Sequence, residues 1–200
     1  MKTVDLDAKI GYGEVIYWRG KPDKKVFILR SIFNILLPFA IIWSILDFPM
    51  LFFSIMDGED GMIWFTIPFF IMHLFPVWIY LAGVFLSLRR YKNTEYLITD
   101  KAVYISGGAF AWSVEQRNLE RLSNLNMRQG ILERLCKVGS VVLDDGTDGY
   151  AGNGARGPRF SGMHGALAIA YVPDYEEVFK LIGQLQRNAF TDAMYPNDKR

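Results

Sequence analysis

The sequence predicts a chain of two parts: an apolar helical hairpin that reads as membrane-embedded, and a small α+β domain with an antiparallel sheet and one closing helix. Three observations carry this. From Ser31 to Leu46 no residue is charged, and after Asp47 the apolar run resumes from Phe48 to Met56. From Gly61 to Leu88 there is again no formal charge apart from a titratable His73, and only Asp57-Gly58-Glu59-Asp60 separates the two runs. After Arg89-Arg90 the pattern changes to short β-branched and aromatic runs that end in one amphipathic helical stripe.

Each apolar run exceeds the roughly 18 residues that mark a transmembrane helix. The first helix either ends at Asp47, where Asp47-Phe48-Pro49 has the look of a break with a new cap, or kinks there and continues to Met56. A continuous helix from about residue 27 to 56 nearly matches its partner, about 61–88, in length, which favours the continuous form. At about 1.5 Å per residue each is longer than ~40 Å, against a hydrocarbon core of about 30 Å. Tilt, kinks at Pro38, Pro68 and Pro76, or protrusion are expected to absorb the excess.

The flanks predict orientation. Arg19, Lys21, Lys24, Lys25 and Arg30 precede the first helix, and Arg89, Arg90 and Lys92 follow the second. The connection between them holds acids and no base. Short loops rich in Lys and Arg stay cytoplasmic, so the expectation is a multi-pass protein of the cytoplasmic (inner) membrane with both termini inside. All of these bases but Arg19 are the candidate contacts with membrane lipids.

A net charge of +1 gives the chain as a whole no polyanion-binding character, and no nucleic-acid partner is expected. The one cysteine, Cys136, excludes an internal disulfide and a multi-cysteine metal site. Between Leu135 and Val138 it reads as a small buried hydrophobe. No secretory signal is visible, because the first 25 residues are polar and mixed in charge. Four segments follow: an N-terminal cytoplasmic lead (1–25), the hairpin (26–90), a cytoplasmic domain (91–190) and a disordered tail (191–200). Within the lead, Val15-Ile16-Tyr17-Trp18 reads equally as a short strand or an interfacial anchor.

In the domain, Tyr96-Leu97-Ile98-Thr99 and Ala102-Val103-Tyr104-Ile105-Ser106 flank Asp100-Lys101 and read as a β-hairpin. Phe110 to Gln116 alternates as a third strand, and Leu122 to Arg128 alternates imperfectly. Ser140 to Leu143 and Ala166 to Val172 complete the strands. Pro173-Asp174 then opens a helix whose Val178, Leu181, Ile182 and Leu185 form one apolar stripe. The expected core is Leu97, Ile98, Val103, Ile105, Leu122, Leu125, Val141, Leu143, Ile169, Val178, Leu181 and Leu185.

Several runs in fixed order resemble the bacterial pleckstrin-homology (PH) domain membrane proteins. They are Gly13-Glu14-Val15-Ile16-Tyr17, Asn93 to Val103, Leu119-Glu120-Arg121-Leu122, Arg128 to Leu135, Val138 to Val141 and Val172 to Val178. The likeness runs from about residue 11 to 188. It implies a PH-like fold, a bent antiparallel sheet or barrel capped by a C-terminal helix, on two transmembrane helices. Eukaryotic PH domains that bind inositides gather bases around the loop between their first two strands. Here that loop reads as Asp100-Lys101, so the resemblance does not transfer inositide binding.

Other chemistry is weighed against plainer readings. Gly152-Asn153-Gly154-Ala155-Arg156-Gly157 has dinucleotide-motif spacing, but Pro158 follows it and no helix does. Asp144-Asp145-Gly146-Thr147-Asp148-Gly149 lacks the acidic twelfth ligand of a calcium loop, having Ala155 there. Gly146 to Gly165 therefore reads as a mobile loop, and its Arg156, Arg159 and His164 as a partner-binding candidate. Asp47 and His73 are the ionisable residues at membrane depth, within reach of each other across a hairpin. Asn34 reads as interhelical glue opposite Gly83 or Ser87. No catalytic constellation, cofactor or metal site is expected. The leading function is a non-catalytic binding or scaffolding module at the inner leaflet, engaging lipid, another membrane protein or a second copy. The alternative is a small transporter or channel subunit using Asp47 and His73.

Overall fold

The computed structural model describes residues 6–56, 60–144 and 167–194. It divides into two compact units: Met1–Phe27 with Arg89–Arg200, and Ile28–Leu88.

The first unit is built on two antiparallel sheets. β1 (Ile16–Gly20), β2 (Glu95–Thr99), β3 (Ala102–Gly107) and β4 (Ser113–Asn118) form one, in that order. β5 (Asn124–Arg128), β6 (Gly139–Asp144) and β7 (Leu167–Val172) form the other, also in order. β1 is the segment that the sequence leaves open between strand and anchor. Its Arg19 and Gly20 pair with Leu97 and Tyr96 of β2. The helical unit is thus inserted in the β1–β2 connection. This corrects the assignment of the first strand pair: Asp100-Lys101 joins β2 to β3, and the β1–β2 loop is the whole segment with its basic flanks.

Tyr96, Ile98, Val103 and Ile105 of the first sheet pack with Val141, Leu143 and Ile169 of the second. The C-terminal helix, Tyr175–Met194, adds Val178, Ile182 and Leu185 to the same core. Tyr96 is wholly buried, its hydroxyl donates to the Ala170 carbonyl at 3.3 Å, and burial pushes its pKa up, so it remains a neutral donor. The other face of the first sheet is covered too. Leu6, in a 3-10 turn over Leu6–Lys9, packs with Leu97, Ala102 and Tyr104. Strands buried on both faces read as continuous apolar runs, which is why β2 and β3 show no alternation.

The N-terminal segment is fastened as well as packed. The Thr99 hydroxyl donates to Glu14 at 2.7 Å and the Tyr104 hydroxyl to the same carboxylate at 3.1 Å. The Val15 N–H donates to Asp100 at 2.9 Å. Arg19 holds Asp7 at 2.7 Å and Glu95 at 3.0 Å.

Elsewhere the structure departs from the expectation. β4 starts at Ser113, because Gly108, at φ +123°, turns the chain where a Cβ would run into the Ala111 carbonyl. A short helix, Ile131–Leu135, stands between β5 and β6. Cys136, which ends it, is exposed, because only Val138 of this stretch turns inward. Leu125 and Leu181 are partly buried, and Ile182 is the fully buried residue at the middle of the helical stripe. The C-terminal helix continues to Met194.

The second unit draws on four helices: α1 (Lys24–Ile32), α2 (Leu36–Met56), α3 (Asp60–His73) and α4 (Phe75–Asn93). By the same numbering the short helix is α5 and the C-terminal one α6. Asp23 caps α1, accepting the Val26 N–H at 2.9 Å. The first apolar run does continue through Asp47 and Pro49 to Met56, but it breaks earlier, at residues 33–35. Asn34 causes the break. Its amide donates to the Ser31 carbonyl at 2.6 Å while its carbonyl oxygen accepts the Leu36 N–H at 2.7 Å. Asn34 is therefore a local cap and not glue between helices; Ser31, at 2.8 Å, is what meets Ser87.

The second run is likewise two helices, bent by 54° at Leu74. Pro38 and Pro76 fall in the first turns of α2 and α4, where no helical N–H is needed. They start helices instead of kinking them. α2, with 21 residues, is the one helix among the described residues long and apolar enough by itself to cross a membrane; α3 with α4 qualifies only as a single bent span.

Two outcomes follow for the first unit. Ile182→Ala should lower stability by about 2–5 kcal/mol, and Leu181→Ala by clearly less, in chemical unfolding of the detergent-solubilised chain. A chain with residues 28–88 replaced by a Gly/Ser linker should be monomeric and β-rich by size exclusion and circular dichroism. Removing residues 1–20 as well should make it aggregate, because it uncovers the β2 edge and the Leu97 face.

Candidate functional site

Strand registers give the first unit two distinct ends. At one end lie the start of β2, the end of β3, the start of β6 and the end of β7, with Glu95 opposite Ser106 and Gly139 opposite Val172. The chain leaves and re-enters the unit here. Phe27 of α1 and Tyr91 of α4 meet edge to face at 5.8 Å, and Phe27 meets Tyr171 at 6.1 Å. Val26, Phe27, Val138, Ala170 and Tyr171 form one buried cluster, with Tyr91 packed on it.

Backbone detail supports this root end. Tyr171 has φ +59°, and the register shifts between Gly139 and Val141 opposite it. Such a bulge re-aims a side chain, here the Tyr171 ring onto Phe27. The Tyr171 carbonyl accepts the Asp23 N–H at 2.6 Å, tying β7 to the cap of α1. The Asn93 amide donates to the Gly108 carbonyl at 2.8 Å, tying the end of α4 to the β3–β4 turn.

The far end holds Asp100-Lys101, the 3-10 turn Leu119–Arg121, and the points Asp144 and Leu167 where β6 stops and β7 starts. Leu119 N–H donates to the Lys101 carbonyl at 2.9 Å and Ser123 N–H to the Asp144 carbonyl at 2.8 Å.

The structure places the sequence-predicted residues as follows. Lys21, Lys24, Lys25, Arg89, Arg90 and Lys92 belong to the first unit at its root end, and all six are exposed; Arg30 falls in the second unit and is also exposed. Arg156, Arg159 and His164 lie outside the described residues, as does the whole glycine-rich segment Gly146–Gly165. The segment's attachment points are at the far end.

Asp47 and His73 are brought together, His73 Nδ1 to Asp47 Oδ2 at 2.8 Å, with Asp47 4 % exposed. Phe69 stacks on the His73 ring at 5.3 Å, and Trp43 lies on it at 5.7 Å. Ser54 and Thr66 add a second α2–α3 bond at 3.1 Å. Sequence reasoning missed the role of the indoles. The bend at Leu74 sends the Val77 N–H to the Leu74 carbonyl at 2.9 Å instead of to His73, and the Trp43 indole N–H takes the His73 carbonyl at 2.9 Å. Trp78 does the same for Ile71 at 3.0 Å. An apolar groove of about 270 Å³ beside the bend is lined by Leu36, Phe39, Trp43, Phe75, Pro76 and Ile79. Among the described residues no three His, Cys, Asp or Glu side chains gather to hold a metal.

Among the described residues, seven strands in two antiparallel sheets closed by a C-terminal helix make a PH-like architecture. The chain belongs to the bacterial PH domain family, whose model matches residues 24–186, helical insertion included. No curated protein matches it, and no solved structure does.

The Asp47–His73 pair should behave as a structural bond of the helical unit. In a double-mutant cycle with Asp47→Ala and His73→Ala, unfolding in mixed micelles should give a coupling of about 0.6–1.7 kcal/mol. Additive losses would mean that the pair contributes nothing.

Proposed function

We propose that this chain is an integral protein of the cytoplasmic membrane that crosses it twice through residues 28–88. Both termini are cytoplasmic, and the chain holds a non-catalytic PH-like module at the inner leaflet for binding or scaffolding. One observation carries the reading: β1 pairs antiparallel with β2 across the inserted segment. A chain that leaves a domain and returns to it must cross a membrane an even number of times. If α2 crosses, α3 with α4 is the return span, and its bend shortens the reach of an over-long run. The length of α2 supports this, since 21 residues span about 31 Å at 1.5 Å each. The exposed bases at the root end support the orientation, and each favours an anionic leaflet by about 1 kcal/mol when close to it.

Family membership supports a binding role, to lipid or protein, over turnover. Lipid is met by the bases Lys21, Lys24, Lys25, Arg30, Arg89, Arg90 and Lys92. A second membrane protein or another copy is met by open strands. β4 and β5 are edges of their sheets, and β5 is exposed at every position but Leu125. The segment with Arg156, Arg159 and His164 is attached at the far end and belongs with the protein partner in this reading.

The close contact of Asp47 with His73 favours one second reading, a small transporter or channel subunit. Replacing both residues would then abolish a flux while leaving the protein level unchanged.

Topology tests the main reading. In a Cys136→Ser background, Gly58→Cys should react with an impermeant thiol reagent on intact cells, and Glu120→Cys only after the membrane is opened. Reaction of Glu120→Cys on intact cells would overturn it.

A further inference from the structure

The root end carries more than bases. Ile131 and Leu135 of α5 are 84 % and 75 % exposed, and Phe110, in the β3–β4 turn, is 73 % exposed. Large apolar side chains this open at one end of a domain mark a contact surface. Both prongs are fixed to the roots of the helices. α5 is bound through Val138, whose N–H donates to the Glu133 carbonyl at 2.9 Å and whose side chain sits in the cluster with Val26 and Phe27. The Phe110 turn is bound through Gly108, which accepts the Asn93 amide.

We propose that α5 and the β3–β4 turn form an interfacial foot, a second membrane attachment in which Ile131, Leu135 and Phe110 enter the headgroup–acyl boundary of the inner leaflet. The foot rests on the membrane reading above and goes beyond it. The occupant is the lipid surface, on two grounds. The apolar prongs stand at the end from which the chain departs into its apolar helices. Their polar neighbours are Arg128, Arg134 and Lys137, all exposed. Of the acids beside them, Glu133 is tied to the Gly130 N–H at 2.6 Å and Glu176 to the Tyr175 hydroxyl at 3.2 Å. An apolar face flanked by bases is the pattern of a segment lying in an anionic interface. The foot also accounts for an exposed Cys136 at the end of α5.

Cys136 supplies the probe, being the one cysteine of the chain. The full chain, labelled there with a polarity-sensitive fluorophore, is reconstituted in phosphatidylcholine vesicles containing phosphatidylglycerol. Lipids carrying a nitroxide near the headgroup should quench the label, and its emission should shift to the blue. The same label on Glu120→Cys in a Cys136→Ser chain, at the far end, should be unquenched. Ile131→Asp with Leu135→Asp should abolish the quenching without changing the unfolding temperature, since neither side chain is in the core. Aqueous, unquenched emission at Cys136 would overturn the foot. So would a blue shift that lipid nitroxides leave unquenched and that fades on dilution of protein in lipid, because a second copy would then be the cover. Carbonate extraction of the same vesicles separates the two readings. Retention with an unquenched label rejects the foot alone, whereas release rejects the anchor and the foot with it.

Discussion

The pairing of β1 with β2 is the constraint on which the rest of the structure depends. The two strands are adjacent in the sheet and separated in sequence by the entire helical unit. If that connection were a disordered coil, its closure entropy would be about 4 kcal/mol, rising slowly with length. A hairpin of helices removes most of that burden, because antiparallel helices return the chain to its starting point. The Phe27–Tyr91 contact is where that return is registered in the domain. The sheet and the hairpin therefore favour the same closed topology, which is the consistency between levels that gives a sequence one fold.

The helical unit meets a second constraint. Backbone groups in an apolar surround need partners, yet its two runs are interrupted at Asn34 and at Leu74. Each interruption carries its own remedy. Asn34 uses both ends of its amide on the neighbouring turns, and the Tyr80 hydroxyl donates to the Ile32 carbonyl at 3.2 Å. At the bend, Trp43 and Trp78 take carbonyls next to the break. Polar contacts also join α1 to α4 and α2 to α3, through Ser31–Ser87, Asp47–His73 and Ser54–Thr66. In the membrane reading proposed above, these bonds hold the helices together, because in lipid the hydrophobic effect between them is absent.

Local pattern made part of this legible. The β2–β3 hairpin follows from two β-branched runs around Asp100-Lys101, and α6 from the spacing of Val178, Ile182 and Leu185. Asp47 and His73 stand out as ionisable residues in apolar runs, and similar distances from a short loop, within about one turn, put them within reach. What sequence did not disclose was non-local or depended on a choice of face. The partner of Ile16–Gly20 lies beyond the helices, so its own neighbourhood does not decide between strand and interfacial anchor. Prolines near 38 and 76 look like kinks until a helix start is known to fall just before them. α5 is too short to show a period, so the outward turn of Ile131, Leu135 and Cys136 could not be read. The stripe of α6 holds both Leu181 and Ile182, and only packing decides that Ile182 is the deeper.

The polarity of the domain follows from these same registers. The strand ends that meet the Val26, Phe27 and Tyr91 cluster lie at the root end of the first unit, and Asp144 and Leu167 lie at its other end. After the helical insertion, the next longest stretch between the described strands, residues 145–166, is attached at the far end, between β6 and β7. An insertion at the root end would have to share space with α1, α4 and α5, where Gly139 already leaves no room for a Cβ beside Tyr175. At the far end the described neighbours include the turns Asp100-Lys101 and Leu119–Arg121 and the N-terminal segment at Glu14-Val15. A glycine-rich, arginine-bearing segment is tolerated there because the registers of β5, β6 and β7 are set before it begins and after it ends.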